Sequence, residues 1–249
     1  MLRTADELRV LRGKPRRLLA AFAHPDDEAY GCSGQLARAA ARDDTAIVLL
    51  CLTSGEASTV YAERGLDPEG IRALREGRME RVAERLGVDG LIMPRLPDGR
   101  LAHEPMGVLA GTVGEVLDAF DPQVVIGHDP RGVNGHADHI AAHWAIRAGL
   151  QGRGDRRFAM LAYLQEMADA VSPRLLFPTP EADVHAVVEL DAQEARAKED
   201  CLRIHEALVT VLDEGPEDLL RRPPVERYVF LGERTGDRVA DVFDGLDGA

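Results

Sequence analysis

Leu18-Leu-Ala-Ala-Phe-Ala23 is followed without a break by His24-Pro-Asp-Asp-Glu28, so an apolar run gives way within one residue to a histidine and three carboxylates. An unbroken apolar run of this length predicts a strand that is buried on both faces of a sheet. Residues 46–52 and 124–127 have the same apolar character, and the second of these runs also ends at a histidine, His128. The sequence therefore places reactive side chains directly after two buried strands.

Helical segments separate the apolar runs, and this alternation decides the fold class. The predicted helices are 33–43, 67–86, 106–120 and 136–149, and 91–93 is a short predicted strand. Strands that alternate with helices favour a mostly parallel sheet with helices on both faces. We therefore predict a Rossmann-like α/β fold, with residues 1–249 in a single domain.

Beyond residue 149 the pattern becomes mixed. Three further strands are predicted at 158–164, 184–190 and 227–231. One long helix is predicted at 191–212, with Asp191 as its N-cap. The tail, 233–249, is rich in Asp and Gly and is expected to be mobile.

Composition limits the possible classes of function. The formal net charge is −13, and a field of that sign repels nucleic acids and anionic membranes, which favours small substrates. No apolar run approaches the roughly 20 residues that span a membrane, and the first residues lack the apolar block of a signal peptide. Three cysteines without metal-type spacing fit a reducing compartment. We expect a cytoplasmic protein without an integral membrane segment or a nucleic-acid partner, and a homo-oligomer remains open.

The first polar loop, 24–28, combines ligand chemistry with a favourable spacing. Imidazole nitrogens and carboxylate oxygens both bind zinc. If the chain turns into a helix here, His24 and Asp27 are three residues apart and can face one point, while Asp26 points elsewhere. The alternative is that these acids only stabilise a helix N-terminus. Their position directly after a buried strand and a histidine favours a functional site.

The second polar loop with the glycine before it, 127–139, contains three histidines, two aspartates and three glycines. His136 and His139 lie one helical turn apart and can face the same pocket. His143 follows four residues later, but for this residue alone a structural role is the better interpretation. Arg131 and Asn134 could bind a polyhydroxyl substrate or could serve only the turn. Neither loop contains a dinucleotide fingerprint, a phosphate loop or a nucleophile elbow.

Taken together, Ala23-His-Pro-Asp-Asp-Glu28 and Gly135-His-Ala-Asp-His139 resemble the two signatures of the PIG-L/LmbE-like N-deacetylase family. Members of this family are typically zinc hydrolases with a Rossmann-like core. They act on N-acetylglucosaminyl-phosphatidylinositol, on mycothiol- and bacillithiol-pathway sugars, or on glycosylated natural products. The resemblance extends from about residue 18 to about residue 205, and Ala137 stands where the family often has proline.

The resemblance implies a role for each matching residue. The implied ligands of Zn²⁺, or of another divalent metal such as Fe²⁺, Mn²⁺ or Co²⁺, are His24, Asp27 and His139. Asp26 is the implied general base, which accepts a proton from the attacking water. His136 stabilises the oxyanion or protonates the leaving amine, and Asp138 orients a histidine from behind.

Arg75 resembles an arginine that family members place near the acyl group of the substrate. With these residues, the expected reaction is removal of an N-acetyl or short N-acyl group from a small molecule that contains an amino sugar. Two alternatives remain open, namely an amidase acting on a larger thiol–sugar conjugate and a metal- or sugar-binding module without turnover. A pure binding module would have no use for the additional carboxylate of Asp26.

Overall fold

The computed structural model describes residues 1–170, 176–206, 224–234 and 236–246, and the strands of these residues form one sheet. The strands are β1 (Arg16–Phe22), β2 (Thr45–Cys51), β3 (Gly90–Ile92), β4 (Val124–Gly127), β5 (Arg157–Leu161), β6 (Ala186–Glu189) and β7 (Val225–Phe230). Their order across the sheet is β3-β2-β1-β4-β5-β7-β6. The first five are parallel, and β7 runs antiparallel to β5 and β6.

Helices cover both faces of this sheet. They are α1 (Asp27–Gly31), α2 (Ser33–Ala40), α3 (Thr59–Glu63), α4 (Pro68–Leu86), α5 (Met106–Phe120), α6 (Gly132–Gly135), α7 (Ala137–Leu150), α8 (Gln165–Ala170) and α9 (Ala192–His205). The predicted α/β class, with a mostly parallel sheet between two helical layers, is confirmed. Among the described residues, no helix is both long enough and apolar enough to cross a membrane.

Strand β1 owes its central position to the continuous apolar sequence of residues 18–22. Leu18, Ala20 and Phe22 pack into the core that α2, α4 and α9 cover, whereas Leu19 and Ala21 pack into the opposite core beneath α5 and α7. Successive strand residues point to opposite faces, so a strand can fill two cores only when it has no polar positions. Each fully buried leucine contributes about 1.5–3 kcal/mol. The end of β1 is therefore a rigid support for the residues that follow it.

Helix ends follow the predicted local signals. Asp67 caps α4 by accepting a hydrogen bond from Gly70 N, and Gly87 ends that helix in the left-handed conformation. Asp191 and Glu194 form a capping box at the start of α9. The last part of the predicted helix, 207–212, lies outside the described residues. In the described part of the tail, Val242 and Phe243 are buried in the core, and the mobility of the tail stays a prediction.

The strand order creates a crevice between β1 and β4. The chain moves from β1 outward to β3 and then returns to β4 on the other side of β1. Connections therefore leave the carboxyl ends of these two strands in opposite directions, and ligands of open α/β sheets bind at this kind of switch point. The two polar loops identified in the sequence follow β1 and β4.

Candidate metal centre

The turn after β1 is built by its own side chains. The backbone N–H of His24 donates to Asp27 Oδ2 over 2.8 Å, which folds the carboxylate back beneath the histidine. Asp26, between them, has a φ of 118°. A non-glycine residue in this region is uncommon, and such strain costs on the order of 1–3 kcal/mol. This turn directs the side chain of Asp26 away from those of His24 and Asp27.

The loop after β4 approaches the same point from the other side. Asp129 Oδ1 accepts the backbone N–H of Val133 over 2.6 Å and so closes the loop on itself. Gly132 has a φ of 65°, and a Cβ at this position would lie 2.9 Å from the Cβ of His139. Only glycine allows the loop to pass so close to His139. His136 is the N-cap of α7, and its Nδ1 accepts the N–H of Asp138.

The structure brings His24, Asp27 and His139 together. His24 Nδ1 lies 3.0 Å from His139 Nε2 and 3.8 Å from Asp27 Oδ2. His139 Nε2 lies 3.3 Å from Asp27 Oδ1. Ligand atoms bound at about 2.0–2.2 Å in a tetrahedral zinc site lie roughly 3.3–3.6 Å from one another. The three side chains therefore have the spacing of a metal site.

The outer nitrogen of each of these two histidines already has an acceptor. His139 Nδ1 donates to the carbonyl of Gly132 over 3.1 Å. His24 Nε2 lies 3.1 Å from Asp98 Oδ1 and 3.3 Å from Asp138 Oδ2. When both outer nitrogens carry the proton, two lone pairs face each other across 3.0 Å. A cation between them removes this repulsion, and hydrogen-bonded outer nitrogens are typical of metal-bound histidines.

Electrostatics also favours a cation at this point. Burial favours the neutral ring of His24, but the carboxylates of Asp138 and Asp98 raise its pKa to about 10. Burial likewise opposes ionisation of Asp98, yet the His24 ring lowers the pKa of this carboxyl to about 2. For Asp27, burial is outweighed by His139 and His128, which hold its pKa well below the usual range. A proton therefore occupies the His24 position in the metal-free chain, and a metal ion would replace it.

His128 also joins the cluster, although no feature of the sequence distinguishes it from the other histidines of the second polar loop. Its Nε2 lies 3.2 Å from Asp27 Oδ2, and its ring stacks on His139 at 4.0 Å. Burial and the neighbouring His139 lower the pKa of His128 to about 4, so its ring is neutral. Three overlapping groups of side chains here could each hold an ion: Asp27, His128 and His139; His24, His136 and His139; and His24, Asp98 and Asp138. His143 lies behind the cluster, where its Nδ1 contacts the carbonyl of His128.

Asp26 lies beside the ligand group and is paired with Arg75. Arg75 Nη2 lies 3.1 Å from Asp26 Oδ2 and also donates to the carbonyl of Pro25. Burial raises the pKa of Asp26, and the Arg75 guanidinium opposes that shift. The sequence predicted that Arg75 lies near the acyl group of a substrate, and the structure places it on Asp26 while it also lines the cavity.

A family model for PIG-L, GlcNAc-PI de-N-acetylase, matches residues 19–149, which is more than half of the 249 residues. The chain belongs to the PIG-L family. The predicted resemblance is thus confirmed.

Relatives of this PIG-L protein support the same assignment. A 1D-myo-inositol 2-acetamido-2-deoxy-alpha-D-glucopyranoside deacetylase from Kineococcus radiotolerans is 32% identical over 57% of this chain, and the match spans about half (47%) of that protein. A protein of the same description from Nocardia farcinica is 29% identical over 93% of this chain and 97% of its own length. The solved N,N'-diacetylchitobiose deacetylase from Pyrococcus horikoshii aligns with a TM-score of 0.67 at 17% identity, covering 91% and 89% of the two chains. At this identity, the structural likeness supports the fold.

The PIG-L motifs border a cavity of about 740 Å³. The predicted site residues that line it are His24, Asp26, Asp27, Arg75, Asn134, His136 and His139. Asn134 also has a turn role, since its Oδ1 accepts the N–H of His136 over 3.0 Å. Arg131 donates instead to the carbonyls of Phe177 and Pro178, so it holds the neighbouring segment against the loop.

Of the two carboxylates that contact His24 at this PIG-L site, Asp98 had no recognisable sequence signal, whereas the family resemblance implied the role of Asp138. Asp98 comes from the loop after β3, more than seventy residues from His24 in sequence, and contacts the outer nitrogen of that histidine. Asp138 contacts the same nitrogen while accepting the N–H groups of Gly99 and Leu101. His24 is therefore oriented by two carboxylates from separate parts of the fold.

Proposed function

We propose that this PIG-L protein is a zinc-dependent hydrolase that removes an N-acetyl or short N-acyl group from a small molecule containing an amino sugar. The observation that carries the proposal is the convergence of His24 Nδ1, His139 Nε2 and Asp27 beside a further carboxylate, Asp26. The first three have the chemistry and spacing of zinc ligands. A site that only bound metal would not need Asp26.

The chain's own residues supply the acid–base chemistry. A zinc ion held by these ligands would polarise the amide carbonyl and make water nucleophilic near neutral pH. Asp26 accepts the proton of the attacking water at a carboxylate oxygen that faces the cavity. Arg75 opposes the rise in the pKa of Asp26 that burial causes, and it limits the rotation of the carboxylate through the contact with Oδ2.

His136 is placed to stabilise the oxyanion. Because its Nδ1 accepts the N–H of Asp138, a neutral His136 ring carries its proton on Nε2. Burial and the nearby His24 ring lower the pKa of His136, so the neutral form predominates near pH 7. Of the two roles implied by the family resemblance, this geometry favours hydrogen-bond donation to the oxyanion over protonation of the amine.

The substrate class follows from the relatives and from the cavity. The two bacterial relatives are described as deacetylases of an inositol-linked acetamido sugar, and a cavity of about 740 Å³ is large enough for a small glycoside. The net charge of −13 favours a neutral or small substrate over a polyanion. Three buried cysteines without disulfides fit a cytoplasmic location, which we include in the proposal together with a single domain over residues 1–249.

The proposal is tested by measuring amine release from a panel of N-acetylated compounds. The panel contains N-acetylglucosamine, its inositol glycoside, N,N'-diacetylchitobiose and an S-conjugate of a thiol–sugar amide. We expect turnover of at least one acetylated amino sugar with release of acetate. Turnover of the thiol–sugar conjugate alone would support the amidase alternative. Metal binding without hydrolysis of any member would identify a binding module and would contradict the proposed function.

Replacing His136 tests its proposed role. We expect His136→Ala to retain metal but to lower kcat by about 10²–10³-fold, the usual effect of losing one oxyanion donor. KM should change much less, because the lost interaction belongs to the transition state. The measurements are metal content, melting temperature and steady-state kinetics on the best substrate of the panel.

His103→Ala, at an exposed histidine elsewhere in the chain, is the control and should behave like the wild type. Loss of metal from His136→Ala would indicate that His136 is a ligand, consistent with its place in one of the three possible groups. Normal kcat with normal metal content would remove His136 from the mechanism.

A further inference from the structure

The backbone of Asp26 needs external support. Its φ of 118° lies where side-chain-bearing residues are rarely found. A glycine would relieve the strain but would remove the carboxylate that faces the cavity. Residues in such conformations persist only when their surroundings hold them in place. The contacts around Asp26 should therefore identify the groups that maintain its position.

Glu28 holds the backbone of Asp26 on its N–H side. The Asp26 N–H donates to Glu28 Oε2 over 3.2 Å. The Asp26 carbonyl accepts the N–H groups of Ala29 and Tyr30, over 3.0 and 3.3 Å, as α1 begins. The side chain of Glu28 is therefore the group that ties the strained residue to the rest of the molecule from the N–H side.

His205 fixes that glutamate from the far end of the chain. His205 Nε2 lies 2.6 Å from Glu28 Oε1, and the two residues are only 3% and 1% exposed. His205 is the last residue of α9, and its carbonyl accepts Tyr61 Oη over 3.2 Å and Arg78 Nη1 over 3.0 Å. One oxygen of Glu28 thus faces Asp26, while the other is bound to an anchored histidine. Neither residue belongs to the ligand group or lines the cavity.

We propose that Glu28 and His205 are a positioning pair that holds Asp26 in its strained conformation and so directs its carboxylate at the reacting water. The inference rests on the proposed function, because it assigns Asp26 as the base. The contact between His205 on α9 and Glu28 in the first motif joins residues that are 177 positions apart in sequence. In this proposal, that contact controls the geometry of the base.

The test compares His205→Leu with His205→Gln. Leucine removes the donor to Glu28, whereas the amide nitrogen of glutamine donates from nearly the same place as Nε2. We expect His205→Leu to lower kcat by about 10–100-fold, the scale of a small misplacement of a catalytic group, with unchanged KM and metal content. His205→Gln should recover most of the lost rate. If leucine prevents folding, His205→Asn replaces it, since its shorter amide cannot reach Glu28.

A control variant on the same helix separates a loss of Asp26 positioning from a general loss of stability. Cys201 is fully buried on α9 and forms part of the same core as Ala29. Cys201→Ala should lower the melting temperature without lowering kcat. A loss of kcat in Cys201→Ala that matches the loss in His205→Leu at equal destabilisation would overturn the proposal.

A double variant and a crystal structure test whether His205→Leu lowers kcat through Asp26. In an Asp26→Asn background, His205→Leu should lower the residual rate little further, because a positioning residue cannot act after its target is lost. An undiminished effect in that background would contradict the proposal. A crystal structure of His205→Leu should show Asp26 moved away from a φ of 118°. An unchanged Asp26 would overturn the inference even if no substrate were found, which separates its failure from failure of the proposed function.

Discussion

Removal of the metal should abolish hydrolysis, and zinc should restore it. The purified protein is expected to contain about one divalent ion per chain, since the outer nitrogens of His24 and His139 are both hydrogen-bonded and their inner nitrogens face each other across 3.0 Å. Dialysis against a chelator should lower the rate to background. Metal content and rate should then rise together as zinc is returned. Substitution of Mn²⁺, Fe²⁺ or Co²⁺ for zinc identifies the preferred ion.

Asp27→Ala provides the matching genetic test. Loss of a group outside the ligand set typically weakens metal binding by about 10–100-fold, so loss of a ligand that contacts both His139 and His128 should cost more. The variant is expected to purify without metal and without activity. Hydrolysis that persists in protein shown to be metal-free, or stoichiometric zinc in Asp27→Ala, would contradict the assignment of this site.

The central half of the fold could be predicted because its strands are buried on both faces. Unbroken apolar residues form 18–22 of β1, 46–51 of β2 and all of β4, and helix α4, between β2 and β3, begins at the cap Asp67 and ends at Gly87. Burial on both faces requires helices on both sides, which settles the class of fold. In such a sheet, ligands bind at the switch point between the carboxyl ends of neighbouring strands, and the two motifs follow β1 and β4 at that point. The local sequence carries all of this information.

The remaining features depend on contacts between distant parts of the chain. Asp98 sits in a loop whose sequence resembles an ordinary turn, and only the fold brings it to His24. His205 looks like one more polar residue at a helix end until α9 packs beside α1 and places it against Glu28. In the Asp- and Gly-rich tail, Val242 and Phe243 reach the core and Arg157 donates to the Val242 carbonyl. Composition does not reveal a tertiary contact of this kind.

Asp26→Asn should keep the metal and lose most of the activity. The substitution preserves shape and the ability to occupy the same turn, but the amide cannot accept a proton from water. General-base catalysis typically contributes about 10²–10⁴-fold, and we expect kcat to fall by that factor. KM should change little, because Asp26 acts on the water and not on the substrate. Metal content should remain near one equivalent, since the contacts that form the ligand group involve Asp27 and not Asp26.

A matched control is available in the C-terminal segment of the chain. Asp241 is a buried carboxylate that pairs with Arg42 over 3.0 Å in the tail, so Asp241→Asn makes the same chemical change at a comparable ion pair. This variant is expected to lose some stability and to retain its kcat. Asp26 itself pairs with Arg75 over 3.1 Å, and breaking this pair could lower stability as well. Comparison at equal fraction folded therefore isolates proton transfer. If Asp26→Asn retained full turnover, Asp26 would not be the base, and the carboxylate of Asp98, which also lines the cavity, would be the next residue to test.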